Sequence, residues 1–229
     1  MKAMILAAGR GERLRPLTDS TPKPMLPVAG KPLLEHHIER MIAAGISDIV
    51  INTCWLAQQI EDYFQDASRR LGATIRWSRE TQALETGGGI AKALPLLGEQ
   101  PFMLVNGDVW SDFDLATGRQ VSLPDDLDGW LFLVDNPEHH PEGDFGLIDD
   151  RVCYTDQQSY TFSGISLLRP ALFAGYGGAE RVFPLRDILR PAIESGRVGG
   201  SIYTGSWCDV GTVARYRQLQ ADLETQQQT

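Results

Sequence analysis

The sequence is poor in cysteine, with only three in 229 residues, and it contains no CxxC pair. Cys54, Cys153 and Cys208 are too far apart and too irregularly spaced to predict a structural zinc site or a disulfide framework. We expect free thiols, as in a protein of a reducing cytoplasm.

Long apolar runs are also missing, although 42% of the residues are hydrophobic. A membrane-spanning helix needs about 18 consecutive apolar residues, so we expect no membrane association. The opening MKAMILAAG is followed at once by GRGERLR, which interrupts the apolar stretch too early for a signal peptide. The sequence therefore predicts a cytoplasmic protein with one substantial core, or with one core and a small appendage.

Positive charge is scarce overall, because the formal net charge is −9 at pH 7. This balance argues against a general nucleic-acid-binding protein, whose surface would be basic. Five cations nevertheless lie between Arg10 and Lys31, against only Glu12 and Asp19. A local cationic patch on an acidic chain predicts a small anionic ligand.

Apolar strand patterns alternate with helical patterns along the first 135 residues. Strands are predicted at 1–6, 48–53, 74–78, 101–106 and 129–134, and helices at 31–44, 56–71, 88–97, 184–195 and 212–225. This alternation indicates βαβ units and a mainly parallel sheet. A polar, proline-rich loop follows, and then FGLIDDRVCY predicts two short strands about a turn and TFSGISLLR another strand. No repeat and no strong shift in composition divides the chain.

The loop behind the first strand contains Gly9, Gly11 and Arg13 in the pattern GxGxR. It is not a dinucleotide fingerprint, because Leu14 replaces the third glycine, and it is not a P-loop. Glycines at the end of a parallel strand still allow backbone N–H groups to approach an anion closely. Arg13 suits forked contacts to phosphate, and the prolines on both sides of Lys23 stiffen that part of the loop.

Two aspartates follow predicted strands and are candidates for metal ligation. Asp108 lies in NGDV, directly after strand 101–106, and Asp209 lies in WCDVGT. Separated carboxylates together with phosphate oxygens would suit Mg²⁺, which prefers oxygen ligands and keeps several waters. Either aspartate alone also fits a turn or a helix cap.

A third motif, SRETQALETGGGI, places three glycines before the helix at 88–97. The amide of Gln82 offers both a donor and an acceptor, so it is suited to reading the edge of a base. A flexible loop that leads into a helix is the alternative interpretation.

The stretch LAAGRGERLRPLTDSTPKPMLPVAGKPLLEH closely resembles the signature of the sugar-1-phosphate nucleotidyltransferases. LETGGGI, NGDV, FSGI, FPLRDIL and WCDVGT follow in the family's order, so the resemblance covers essentially the whole chain. It implies a Rossmann-like, mainly parallel sheet with flanking helices and a small sugar-binding lobe. The implied single domain has a nucleotide-binding half at about 1–135 and a half at about 136–225 that binds the sugar and completes the metal site.

The resemblance also implies roles for individual residues. Nucleotide contacts are expected from Ala8, Gly9, Gly11, Glu12, Arg13, Lys23, Gln82 and Gly87, and of these Arg13 and Lys23 are the expected catalytic residues. Sugar contacts are expected from Asn106, Asp144, Gly146, Ser163 and Gly164. The expected cofactor is Mg²⁺, held by Asp108 and Asp209. The four histidines are interpreted as structural or surface residues.

Within the family the short chain is most similar to members of bacterial cell-wall recycling, which use UTP and N-acetylmuramic acid 1-phosphate. Many relatives carry a Glu-Lys pair before the strand TFSGI, whereas this chain reads CYTDQQSY there, with Asp156 as a candidate replacement for the glutamate. The departure favours a specialised sugar over glucose or mannose 1-phosphate with dTTP, UTP or GTP. A catalytically silent nucleotide-sugar sensor is the alternative from another class, but Arg13, Lys23 and both aspartates are present.

Overall fold

The computed structural model describes residues 1–155, 157–176 and 180–227. The strands are β1 Lys2–Leu6, β2 Pro27–Val28, β3 Lys31–Pro32, β4 Asp48–Thr53, β5 Thr74–Arg79, β6 Phe102–Asn106, β7 Val109–Ser111, β8 Gly129–Val134, β9 Gly146–Ile148, β10 Arg151–Cys153, β11 Thr161–Leu168, β12 Val198–Ile202 and β13 Trp207–Asp209. The α-helices are α1 Leu33–Ala43, α2 Ala57–Tyr63, α3 Ala67–Leu71, α4 Glu85–Leu97, α5 Leu115–Gln120, α6 Arg186–Glu194 and α7 Val213–Gln227.

A large mixed sheet runs through the molecule in the order β5-β4-β1-β6-β11-β8-β12-β10-β9. Parallel pairing joins β5, β4, β1 and β6, and it also joins β8 to β12. Only β11 and β10 run against the other strands of this sheet, because each pairs antiparallel with both of its neighbours. β11 comes from the predicted second half of the chain and lies between two strands of the first, so the two halves share one sheet.

Both faces of the sheet are covered, as expected when the central strands are apolar on both sides. On β1, Met4 packs into a cluster with residues of α4 and α6, whereas Ala3 and Ile5 pack into a second cluster with residues of α1 and α2. This alternation follows from the two-residue period of a strand. The carboxyl ends of β1, β4 and β6 are thereby fixed side by side.

A third apolar cluster lies under the loop that follows β1. Leu14, Leu26 and Val28 from the loop region pack with residues of α7, including Tyr216 and Leu219. The Tyr216 hydroxyl donates a hydrogen bond of 2.7 Å to the carbonyl of Pro27. The last helix therefore holds the first loop in place.

Several predicted elements differ from those observed. The predicted helix 56–71 is two helices, because Phe64 to Asp66 interrupt it, and α1 begins two residues later than predicted, after Pro32 has formed part of β3. The polar segment after β6 forms β7 and α5, and the glycine-rich segment before WCDVGT forms β12. None of the helices in the described ranges has both the length and the hydropathy required to cross a membrane.

Candidate functional site

A cavity of about 490 Å³ opens at the carboxyl ends of β1, β4 and β6. The end of a mainly parallel sheet is where ligands bind in open α/β folds. The wall is formed by Leu6, Ala7, Ala8, Gly9, Gly11, Glu12, Arg13, Lys23, Pro24, Asn52, Glu80, Ala83, Glu85, Thr86, Asn106, Gly107, Asp108 and Gly211.

The glycines of the first loop leave room for a ligand close to the backbone. A Cβ added at Gly9 would meet no protein atom within 4 Å, so the protein itself does not require glycine there. Gly11 has a φ of +69° in the left-handed region, and its missing Cβ would lie 3.1 Å from the Cβ of Lys23. Gly11 is thus required by the turn, whereas Gly9 leaves open space facing the cavity.

The two cations of the wall are held differently. Lys23 is only 8% exposed, and its Nζ donates to Oδ2 of Asp108 at 2.7 Å. Arg13 is exposed and forms neither an ion pair nor a hydrogen bond with the described part of the chain, so all its donors are available to ligand oxygens. The wall therefore offers one free guanidinium and one ammonium that is already neutralised by a carboxylate.

Asp209 reaches the neighbourhood of Asp108 through the ribbon of β7 and β13. Asp209 pairs with Val109 across this ribbon, and the N–H of Val210 donates to the carbonyl of Asp108 at 2.7 Å. Arg215 on α7 fixes the aspartate, because its Nη2 donates to Oδ2 at 2.7 Å and its Nε donates to the Asp209 carbonyl at 3.1 Å.

One oxygen of Asp209 is left over by this arrangement. Oδ1 is buried, and His139 Nε2 lies 3.0 Å away, a distance that allows an ion pair only with a protonated ring; apart from this ring, Oδ1 receives no hydrogen bond from the described residues. A buried carboxylate oxygen without a backbone, Lys or Arg donor suits a cation ligand. The described ranges contain no group of three or more His, Cys, Asp or Glu side chains that could hold a metal by itself. A metal here would therefore need phosphate and water oxygens in addition to the two aspartates.

A hydrogen-bonded chain of buried polar groups forms another part of the wall. The N–H of Ala7 donates to Oδ1 of Asn52 at 2.8 Å, and Nδ2 of Asn52 donates to Oε1 of Glu80 at 2.7 Å. The other carboxylate oxygen, Oε2, accepts from the N–H of Leu84 at 3.0 Å. Burial raises the pKa of Glu80. Sequence reasoning missed both Asn52 and Glu80, because nothing in a lone Asn or Glu near a strand end marks it as facing a cavity.

The comparisons with known proteins agree with this geometry. The Nucleotidyl transferase family matches residues 2–161. The chain belongs to the Nucleotidyl transferase family. It is 51% identical over 96% of its length to an N-acetylmuramate alpha-1-phosphate uridylyltransferase of Neisseria meningitidis, and 97% of that protein is covered. It is 35% identical to a protein of the same description from Caulobacter vibrioides, with 91% of each chain covered.

A solved structure shows the same fold. The crystal structure of a Bacillus anthracis protein described as a glucose-1-phosphate thymidylyltransferase, bound to sucrose, superposes with a TM-score of 0.86. It is 20% identical, and the alignment covers 96% of this chain and 94% of that one. The nucleotidyltransferase fold that the sequence predicted is therefore confirmed.

The predicted nucleotide residues fall into two groups in this nucleotidyl transferase. Ala8, Gly9, Gly11, Glu12, Arg13 and Lys23 all line the cavity. Gln82 is exposed and lies outside the wall, and Gly87 is buried where a Cβ would meet the Phe183 ring at 2.5 Å. The expected roles of these residues stay predictions, and the neighbouring wall positions in the described chain are Glu80, Ala83, Glu85 and Thr86.

Of the predicted sugar residues, Asn106 lines the cavity. Gly164, with a φ of +79°, packs against the Asn106 side chain, and Ser163 is fully buried with its Oγ accepting from the Ile165 N–H. Asp144 lies in the loop before β9, where its Oδ2 accepts from the Phe162 N–H at 2.8 Å, and Gly146 begins β9. Of the five, the structure thus brings only Asn106 to the cavity wall.

The remaining expectations concern the histidines and Asp156. His139 was interpreted as a structural or surface residue, and the structure places its ring beside Asp209, the expected metal ligand. Asp156, the candidate replacement for the missing glutamate, lies outside the described residues. His36 fits the structural interpretation, because its Nε2 is 2.7 Å from the carbonyl of Val28.

Proposed function

We propose that this protein transfers a uridylyl group from UTP to N-acetylmuramic acid 1-phosphate, forming the UDP-sugar and pyrophosphate. The observation that carries the proposal is the similarity, over more than nine tenths of the chain, to two proteins described with this activity. The cavity supports it, since a glycine loop, a free arginine and a buried lysine meet at one sheet end. The reaction would serve cell-wall recycling in the cytoplasm.

The first loop is suited to the triphosphate. Gly9 and Gly11 let the chain pass close to phosphate oxygens, and the free guanidinium of Arg13 can bind the β- and γ-phosphates in a forked geometry. Lys23 would act on the α-phosphate side, where it would offset charge in the transition state. We assign sugar binding to the residues that the sequence predicts for it, Asn106, Asp144, Gly146, Ser163 and Gly164.

Asp108 and Asp209 would hold Mg²⁺, in agreement with the buried, undonated Oδ1 of Asp209. When bound, the ion would supply charge neutralisation to the triphosphate and the leaving pyrophosphate. Lys23 donates a hydrogen bond to Oδ2 of Asp108 in the structure, so binding of Mg²⁺ to this oxygen would have to change that ion pair.

The chemical step needs no covalent enzyme intermediate. A phosphate oxygen of the sugar phosphate attacks the α-phosphorus in line, forming a P–O bond while the bond to the bridging oxygen of the β-phosphate breaks. Because a phosphate monoester is already ionised near neutral pH, no general base is needed. The protein contributes positioning and charge neutralisation.

The test is pyrophosphate release with Mg²⁺ from pairs of nucleotides and sugar phosphates. UTP, dTTP, CTP, GTP and ATP are crossed with the 1-phosphates of N-acetylmuramic acid, N-acetylglucosamine, glucose and mannose. We expect strong release with UTP and N-acetylmuramic acid 1-phosphate. Preferred release with another pair would overturn the substrate assignment, and no release from protein that binds UTP would favour the sensor.

The lysine is tested in the same assay. Lys23→Ala should lower kcat by at least about 100-fold, the usual cost of removing one charge-stabilising donor. Lys31→Ala is the matched control, because Lys31 lies outside the cavity wall and pairs with Glu39. If both variants turn over like the wild type, Lys23 is not catalytic.

A further inference from the structure

Glu80 is an unusual side chain in the cavity wall because it is a buried acid without a cation. It is 7% exposed, and within the described part of the chain no Lys, Arg or His side chain forms an ion pair with it. The nearby Lys92 is engaged elsewhere, with the Arg79 carbonyl and Glu180. Burial of a carboxyl group without a cation is costly, so such a group in a cavity wall indicates a functional role.

The orientation of Glu80 is fixed by the two donors already described. Asn52 cannot turn its amide without losing the N–H of Ala7, so its Nδ2 has to point at Oε1 of Glu80. Gly89 on α4 leaves space for this pair, because an added Cβ would lie 2.7 Å from both Asn52 Nδ2 and Glu80 Oε1. The wall thus presents a rigid group whose two oxygens each receive one protein donor.

A carboxylate can accept about four hydrogen bonds, so each oxygen of Glu80 retains capacity for a donor from a ligand. The bases of nucleotides differ in what they offer at the centre of their pairing edge. Uracil, thymine and guanine have a ring N–H there, whereas cytosine and adenine have a ring nitrogen that only accepts. A fixed acceptor in the wall would therefore attract the first group and repel the second.

We propose that Glu80 determines base specificity, by accepting the ring N–H of uracil at N3 and rejecting bases with an acceptor at that position. The proposal rests on the proposed function, since it assumes UTP as the substrate. Asn52 is the positioning residue of this pair, because it orients the carboxylate and is itself held by the backbone at the end of β1. Gln82, two residues further along the chain and exposed, is the rival candidate.

The test is the ratio of CTP to UTP dissociation constants, measured by calorimetry with Mg²⁺ for the wild type, Glu80→Gln and Glu80→Ala. The wild type should bind UTP at least about tenfold more tightly than CTP, the range of one hydrogen bond to a charged group. The amide of Glu80→Gln can donate to the cytosine ring nitrogen, so the ratio should fall towards one. Glu80→Ala should weaken UTP binding and also lose discrimination.

Three comparisons make the outcome decisive. Glu35→Gln removes another buried glutamate, one that pairs with Arg70 and Tyr63 away from the cavity, and it should keep the wild-type ratio. An unchanged ratio in both Glu80 variants, or a collapsed ratio in Gln82→Ala instead, overturns the proposal. Because each ratio is taken within one protein sample, partial misfolding of a variant does not change it. Failure of the wild type to bind UTP at all would count against the proposed function itself.

Discussion

At the scale of single residues, two of the cations in and beside the cavity are paired with a carboxylate before any ligand arrives, whereas Arg13 of the wall is not. Lys23 pairs with Asp108, and Arg215 pairs with Asp209. Buried or half-buried charges of this kind are expensive unless paired. A metal or phosphate that binds at Asp108 or Asp209 would therefore exchange partners with Lys23 or Arg215, whereas Arg13 is free to meet phosphate oxygens directly.

Arg215 is expected to act through Asp209. Arg215→Gln removes the donor that holds Oδ2, so we expect the Mg²⁺ concentration for half-maximal activity to rise about tenfold or more. Direct Mn²⁺ binding, followed by electron paramagnetic resonance, should weaken in parallel, while UTP binding changes less. Arg217→Gln on the exposed side of the same helix is the control. Equal metal affinity in the two variants would contradict the positioning role.

Residue-level prediction from the sequence worked best where chemistry and chain position coincide. Gly9, Gly11, Arg13 and Lys23 were singled out because they lie in the segment that follows the first strand, and all of them line the cavity, although their roles stay predictions. Glu80 and Asn52 were not found, because their role depends on side chains that meet only after β4, β5 and α4 pack together.

At the scale of elements, α4 packs unusually closely against the segment before α6. The N–H of Gly88 donates to the Phe183 carbonyl at 3.0 Å, and a Cβ on Gly88 would lie 2.1 Å from the carbonyl oxygen of Arg181. The three glycines of this motif, of which Gly87 was expected to contact the nucleotide, are thus explained in part by contacts within the protein. Gly87 meets Phe183, and Gly89 makes room for Asn52 and Glu80.

This packing determines whether replacing Gly88 with alanine raises or lowers the free energy of unfolding. Gly→Ala inside a helix normally stabilises by up to about 1 kcal/mol. Gly88→Ala should instead lower the free energy of unfolding by about 1–3 kcal/mol, because the obstructing atom belongs to the backbone. Urea unfolding of the two proteins measures the difference. A more stable variant would show that the segment before α6 can move away without cost.

Element boundaries were predicted least well where polar residues interrupt the apolar pattern. No apolar pattern predicted β7, α5 or β12, which are short elements of three to six residues. The break between α2 and α3 is likewise set by local packing, with Phe64 buried under the sheet. The apolar strands β1, β4, β6 and β8 were predictable, because burial on both faces of a sheet demands continuous apolar residues.

At the scale of the whole molecule, His37 makes stability depend on pH. Burial, assisted by the nearby Arg40, lowers the pKa of His37 to about 3. In the unfolded chain the pKa returns to about 6.5, so between these values the unfolded state binds more protons. The free energy of unfolding should therefore fall as the pH drops from about 6.5 towards 3, by at most about 1.4 kcal/mol per pH unit from this group.

Thermal unfolding at several pH values tests this dependence. His37→Gln should flatten the fall of Tm between pH 6.5 and pH 4, whereas His36→Gln, whose ring contacts the Val28 carbonyl, should retain it. If His37→Gln loses stability with acid as steeply as the wild type, other groups carry the effect.

The packing of α7 beneath the first loop has a consequence for biosynthesis. Leu14, Leu26 and Val28 leave the ribosome early, but their partners Tyr216 and Leu219 are made almost two hundred residues later. Because synthesis adds about 5–20 residues per second, roughly ten seconds or longer would pass before the α7 residues that pack against the loop are made. The start of the chain is thus among the last parts to reach its final form, and a nascent chain stalled before α7 should be unable to hold nucleotide.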